Sequence, residues 1–245
     1  MLSQENGSQG RDGMKTIGIV GGIGPESTIE YYRSIINAYQ KRISDGSYPP
    51  IIINSIDLKK IIDLVSANKL SQLTEFLLRG IRNLAQAGAE CGLVAANTPH
   101  IVFDEVCRRS PIPLISIVVA ARDEAKVLKL KKLGLFGARY TMQGRFYPDV
   151  FAREGIAIAV PDEEDQAFIH HIYFNELVQG TVLPQTRERL FAIVDRLKER
   201  EGIQGLILGG TELSIILRDA TVRDIPVLDT TRIHADAIVA KALSQ

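Results

Sequence analysis

Cysteine is scarce, charge imbalance is absent, and no apolar run is long enough to cross a bilayer. Each absence excludes a class of protein. Two cysteines in 245 residues, Cys91 and Cys107, are too few for a disulfide framework and lack the spacing of a zinc site. A cytoplasmic chain with reduced thiols and no metal is expected. Twenty-nine basic residues balance twenty-nine acidic ones, which removes the electrostatic reason to expect nucleic acid or an anionic membrane as partner. A membrane span needs roughly 18 consecutive apolar residues; the sequence has none, and its start lacks the apolar core of a secretion signal. The composition, 45% hydrophobic and 24% charged, is that of an ordinary globular protein, with a small molecule as the expected partner. The polar, glycine-rich opening, residues 1–13, reads as a flexible extension ahead of Met14.

Short β-branched runs alternate with longer segments of helical periodicity, the pattern of parallel strands joined by crossover helices. Strands are expected at Thr16–Val20, Ile51–Ile56, Gly92–Ala95, Leu114–Ile117, Lys132–Phe136, Ala157–Val160, Gly205–Leu208 and Val227–Leu228. Helices are expected at Thr28–Lys41, Leu70–Ala87, Asp165–Gln179, Pro184–Glu201 and Arg232–Leu243. The halves echo one another: Ile17 to Gly22 is answered by Leu133 to Ala138, and Gly92 to Thr98 by Gly205 to Glu212. Such duplication points to an α/β fold of two pseudo-symmetric lobes, each a small doubly wound parallel sheet, meeting across a cleft. The first lobe is assigned to 14–117 and the second to 118–225. The last strand and C-terminal helix, 226–245, are expected to pack back on the first lobe.

In open parallel sheets ligands bind beyond the carboxyl ends of the strands, so the loops there carry the candidate chemistry. Gly21-Gly22-Ile23-Gly24-Pro25-Glu26-Ser27-Thr28 opens a helix whose free N–H groups suit a carboxylate or phosphate; it is equally a plain strand-to-helix turn. Asn97, Thr98 and His100 combine amide, hydroxyl and imidazole, and read either as ligand contacts or as a helix cap. Thr211 and Glu212 pose the same choice with a carboxylate added, which partial burial would tune as an acid or base. Arg139, with Tyr140 and Thr141, could grip a carboxylate bidentately or be a solvated surface arginine. His170 and His171 read as a charged helix face, and His234 as capping or packing the last helix.

Taken in order, five blocks of these residues resemble the cofactor-independent aspartate/glutamate racemase family: Thr16-Ile17-Gly18 with Gly21-Gly22 and Glu26-Ser27-Thr28; Asn97-Thr98 with His100; Arg139-Tyr140-Thr141-Met142; Gly209 with Thr211-Glu212; and Asp229-Thr230 with His234. The resemblance implies two α/β lobes with the ligand between them, no cofactor, and assembly as a homodimer. It implies substrate contacts at Gly22, Ser27, Asn97, Thr98, Arg139, Tyr140, Thr141 and Thr211. It also implies a pair of cysteines flanking the substrate carbon, one per lobe. Those positions here are Ala96 and Gly210, neither of which can carry a proton, and Cys91 and Cys107 read instead as small buried hydrophobes. Two-thiol racemisation is therefore disfavoured. What remains is a small carboxylate or amino acid bound in the cleft, with Glu212, Thr98, Thr211 and His100 as catalytic candidates. The alternatives are a hydrolase using Ser27, Thr98 or Thr211 with His100 as base, although no GxSxG elbow is present; a decarboxylase or isomerase; and a binding protein without turnover.

Overall fold

In the computed structural model, which describes residues 13–217, 219 and 221–244, the β-branched runs pair into two sheets. β1 (Ile17–Gly21), β2 (Ile51–Ser55), β3 (Cys91–Val94) and β4 (Leu114–Ile115) lie in the order β2-β1-β3-β4. β5 (Lys132–Gly137), β6 (Ala157–Ala159), β7 (Gly205–Gly209), β8 (Thr221–Val222) and β9 (Ile225–Asp229) lie in the order β6-β5-β7-β9-β8. All described pairings are parallel except that of β8 with β9. Leaving aside β8, the two sheets share one winding, so the internal echo in the sequence is a structural duplication. Residues 1–12 of the expected extension lie outside the described residues.

The first five helices are α1 (Pro25–Gln40), α2 (Leu58–Ser66), α3 (Leu70–Gln86), α4 (Phe103–Arg109) and α5 (Ile117–Val127). Then follow α6 (Arg139–Gln143), α7 (Phe146–Ala152), α8 (Glu163–Asn175), α9 (Pro184–Glu201), α10 (Leu213–Ile216) and α11 (Thr230–Leu243). Their starts have local causes: the side chains of Asp57, Ser116, Asp162 and Asp229 accept first-turn N–H groups, and Pro25 and Pro184 open α1 and α9. No helix among the described residues is long and apolar enough to cross a membrane.

Three expectations change. Ile117 begins α5 and does not extend β4, because the Ser116 hydroxyl accepts the Val119 N–H at 3.3 Å and caps a helix there. Helix α8 stops at Asn175 and resumes as a short 3-10 turn at Leu177–Gln179. The last strand belongs to the second sheet, where β9 pairs with β7 and with β8. β8 was hidden because its tight turn uses Arg223 and Asp224 at positive φ (49° and 63°), without the glycine that normally marks such a hairpin.

Helix α11 crosses to the first lobe. Its Ala235, Ile238, Val239 and Ala242 pack with Ile17, Ile19, Tyr31 and Ile35. His234 fixes it there: Nε2–H donates to the Ile115 carbonyl and Nδ1 accepts from the Tyr31 hydroxyl, each at 2.8 Å. In the second lobe β5 and β7 approach so closely that a Cβ on Gly137 would meet the Gly209 carbonyl oxygen at 2.7 Å. Gly137→Ala is therefore expected to lower stability by about 1–3 kcal/mol through overpacking, read as a shift of the urea unfolding midpoint.

Candidate functional site

The switch point of each sheet, where the winding reverses, lies between β1 and β3 in one lobe and between β5 and β7 in the other. Parallel sheets bind ligands at these points. The loops leaving these four strands and the two helices α2 and α8 enclose a cavity of about 320 Å³. Ile23, Gly24, Ala96, Asn97, Thr98 and Pro99 reach it from the first lobe's loops. Ala138, Tyr140, Gly209 and Glu212 reach it from the second, and α8 adds His170, Tyr173 and Phe174.

Glu212 is 3% exposed and the sole carboxylate among the described lining residues. Three hydroxyls donate to it: Ser27 to Oε1 at 2.7 Å, Thr211 to Oε2 at 2.7 Å, and Tyr173 to Oε2. The Ser27 and Thr211 hydroxyls also touch one another. Ser27 starts from the first lobe, so this network crosses between lobes. Burial, and then the adjacent Glu212 carboxylate, push the Tyr173 phenol well above its usual range, which keeps it a proton donor. Glu212 also borders a second, more polar pocket of about 370 Å³, shared with Ser27, Thr211, Arg33 and Arg232.

The other candidates divide. Asn97 is 5% exposed and its amide is held by the second lobe, accepting from the Tyr147 hydroxyl at 2.6 Å and donating to Thr230 Oγ1 at 3.3 Å. Thr98 lines the cavity, its Oγ1 3.2 Å from that of Thr141, which is buried behind it. Tyr140 lines the cavity and donates to Ser66 at 3.0 Å across the cleft. Gly22 does not line it; at φ 81° it turns the chain, and its N–H is spent on Thr28 Oγ1 at 2.8 Å. Arg139 is exposed and does not line it either, which is the solvated-surface alternative of its two readings.

His100 is a structural residue in this geometry. Its Nε2 accepts the Ile117 N–H at 3.2 Å, so Nδ1 carries the proton and donates to the Ala96 carbonyl at 2.9 Å. The ring stacks on Phe103 and stays outside the cavity. With both nitrogens on backbone groups it cannot activate Ser27, Thr98 or Thr211, and the Ser27 and Thr211 hydroxyls donate to Glu212. The hydrolase alternative loses its base. Cys91 is buried in the β3 core as expected, whereas Cys107 is exposed on α4; neither lines the cavity. Among the described residues no group of three or more His, Cys, Asp or Glu could hold a metal.

Sequence reasoning missed Tyr173 and assigned His170 to a charged face. The signal was the spacing: His170, Tyr173 and Phe174 stand at i, i+3 and i+4 on one side of α8. Burial, and then Arg139, lower the His170 pKa, and its Nδ1 accepts the Arg139 N–H at 3.3 Å, leaving Nε2 as a donor.

Burial, with His234 nearby, pushes His100 down to about 3, and burial pushes His234 down to about 4. Both are thus neutral in the folded protein while the unfolded chain takes up their protons near pH 6.5. Stability from this source is complete above pH 6.5 and is lost as the pH falls towards 4, on the order of 3 kcal/mol per histidine. A His100→Gln/His234→Gln double variant is expected to show a flatter dependence of its urea midpoint between pH 6.5 and 4; an unchanged slope would mean that neither histidine is held neutral.

Comparison with known proteins gives a consistent set of similarities. The sequence pattern of the Asp/Glu/Hydantoin racemase family matches residues 20–238. The broad specificity amino-acid racemase RacX of Bacillus subtilis (strain 168) is 24% identical over 233 residues, 93% of this chain and 98% of RacX. A crystal structure of a candidate Asp/Glu racemase from Yersinia pestis is 33% identical, with a TM-score of 0.85, covering 94% of this chain and 100% of that one. An aspartate racemase homologue from Pyrococcus horikoshii OT3 is also 33% identical, with a TM-score of 0.82 and the same coverage.

Proposed function

Because the chain belongs to the Asp/Glu/hydantoin racemase family, we propose that it binds a small carboxylate or amino acid between its lobes and transfers a proton at the adjacent carbon from one face, with Glu212 as base. The observation that carries this is the asymmetry of the cavity. On the second lobe's side stands Glu212 with the Tyr173 phenol bonded to it. On the first lobe's side, at the position where the family resemblance puts a thiol, stands the Ala96 methyl.

The other thiol position, Gly210, is filled from outside. A Cβ added at Gly210 would collide with the Tyr173 ring, whose Cζ lies 3.1 Å from it. The Tyr173 phenol ring therefore occupies the space that a cysteine side chain would need. Proton transfer by a buried carboxylate is ordinary acid–base chemistry. A base on one side supports exchange or isomerisation at one face, and in its protonated form could protonate the carbanion that loss of CO2 leaves; it speaks against inversion between two thiols.

A second reading, ligand binding without turnover, draws on the same network. Three hydroxyls engage the Glu212 oxygens that would have to take the proton. Incubation of amino acids and simple carboxylic acids in deuterated water separates the two. The first reading expects loss of the α-proton signal without interconversion of enantiomers, slowed by about 10²–10⁴-fold in Glu212→Gln. Interconversion of enantiomers, or exchange that survives Glu212→Gln, would refute it. Binding with no exchange in any compound would favour the second.

A further inference from the structure

We infer that the ligand of this cavity is a carboxylic acid or amino acid with an apolar side chain, and not the dicarboxylate that the family's name suggests. The inference rests on the reading of the cavity as the ligand site and adds the substrate class.

Two walls carry it. Helix α2 presents Leu58, Ile61, Ile62 and Val65 at the i, i+3, i+4, i+7 spacing of one helix face, and all four line the cavity. From the second lobe Phe174 on α8 and Val178 in the 3-10 turn that follows line the same cavity. Leu58 and Ile62 are only half-buried although apolar, so they have surface left for a ligand to cover. The Tyr140 to Ser66 bond joins the second lobe to the end of α2 at the edge of this cavity.

Charge points the same way. No lysine or arginine is among the described residues lining the cavity. The nearest basic side chains on α2, Lys59 and Lys60, are exposed; Lys59 pairs with Asp63 and Lys60 lies over Phe76. Arg139 is exposed as well. Two ligand carboxylates would put two anions beside Glu212 with no lysine or arginine among the described lining residues, whereas the single carboxylate of an apolar ligand leaves only one for the uncharged donors of the strand-end loops to hold; an unpaired buried charge is strongly unfavourable. An apolar side chain meets no such penalty and gains from burial. The volume, about 320 Å³, lies at the small end of the range for small-molecule sites and suits a ligand of amino-acid size.

The test is direct binding to the full chain by calorimetry, with 4-methylpentanoate, leucine and phenylalanine against succinate, aspartate and glutamate. The apolar set is expected to bind at least about tenfold more tightly, in line with the worth of hydrophobic groups in such pockets. Placing a cation in the wall, by Ile62→Lys or, should that variant not fold, by Val178→Lys, is expected to move the preference towards succinate. Equal or tighter binding of the dicarboxylates by the unaltered chain would overturn the inference and leave one-face proton transfer standing. Failure of all six to bind would also overturn it. Apolar ligands that bind without exchanging a proton would uphold it while removing the catalytic reading.

Discussion

A carboxylate taken out of water is tolerated only where donors surround it, and Glu212 is taken out of water at the seam between two lobes. Ser27 comes to it from the start of α1, Thr211 from the end of β7 and Tyr173 from α8. These three elements have to converge on two oxygen atoms, which fixes the approach of the lobes as well as the walls of the cavity. The neighbouring glycines follow from the same demand. A Cβ at Gly24 would meet Glu212 Oε1 at 2.7 Å, and one at Gly210 would displace the Tyr173 ring. Both positions are glycine because the network has already taken their space.

A second bridge lies beside the first. Asn97 accepts from Tyr147 and donates to Thr230, whose hydroxyl in turn donates to the Leu208 carbonyl at 2.7 Å. The strand ends of both sheets are thereby tied by polar contacts, and the residues most readily noticed in the sequence, Asn97, Thr211 and Glu212, are among those that do this tying. Much of their polarity holds the site together. What is left lining the cavity is a mixture: the polar Glu212, Tyr173 and Thr98, and a wall of aliphatic and aromatic groups.

The strands and their parallel pairing were legible because β-branched runs bounded by small residues have few other uses, and the winding followed from the duplication. Helix α9 was placed at Pro184–Glu201, as the proline start and the charged last turn indicate. The hairpin of β8 with β9 was not legible, since Arg223 does not advertise a left-handed turn. The site was legible as a set of loops, not as a set of roles. His100 suits proton transfer and Arg139 a carboxylate contact, yet both ring nitrogens of His100 are hydrogen-bonded to backbone groups and Arg139 is exposed. Tyr173 and the α2 wall were overlooked for the opposite reason: an aromatic or aliphatic residue at helical spacing ordinarily means core, and only the meeting of α2 with α8 across the cleft shows that these face a cavity.

The most direct measurement is a crystal structure of the protein soaked with leucine or 4-methylpentanoate. The account requires the carbon next to the ligand's carboxylate to lie within reach of Glu212 on one face and against the Ala96 methyl on the other, with the side chain along Ile62 and Phe174. A ligand seated in the polar pocket beside Arg33 and Arg232, or one whose reactive carbon lies away from Glu212, would contradict it.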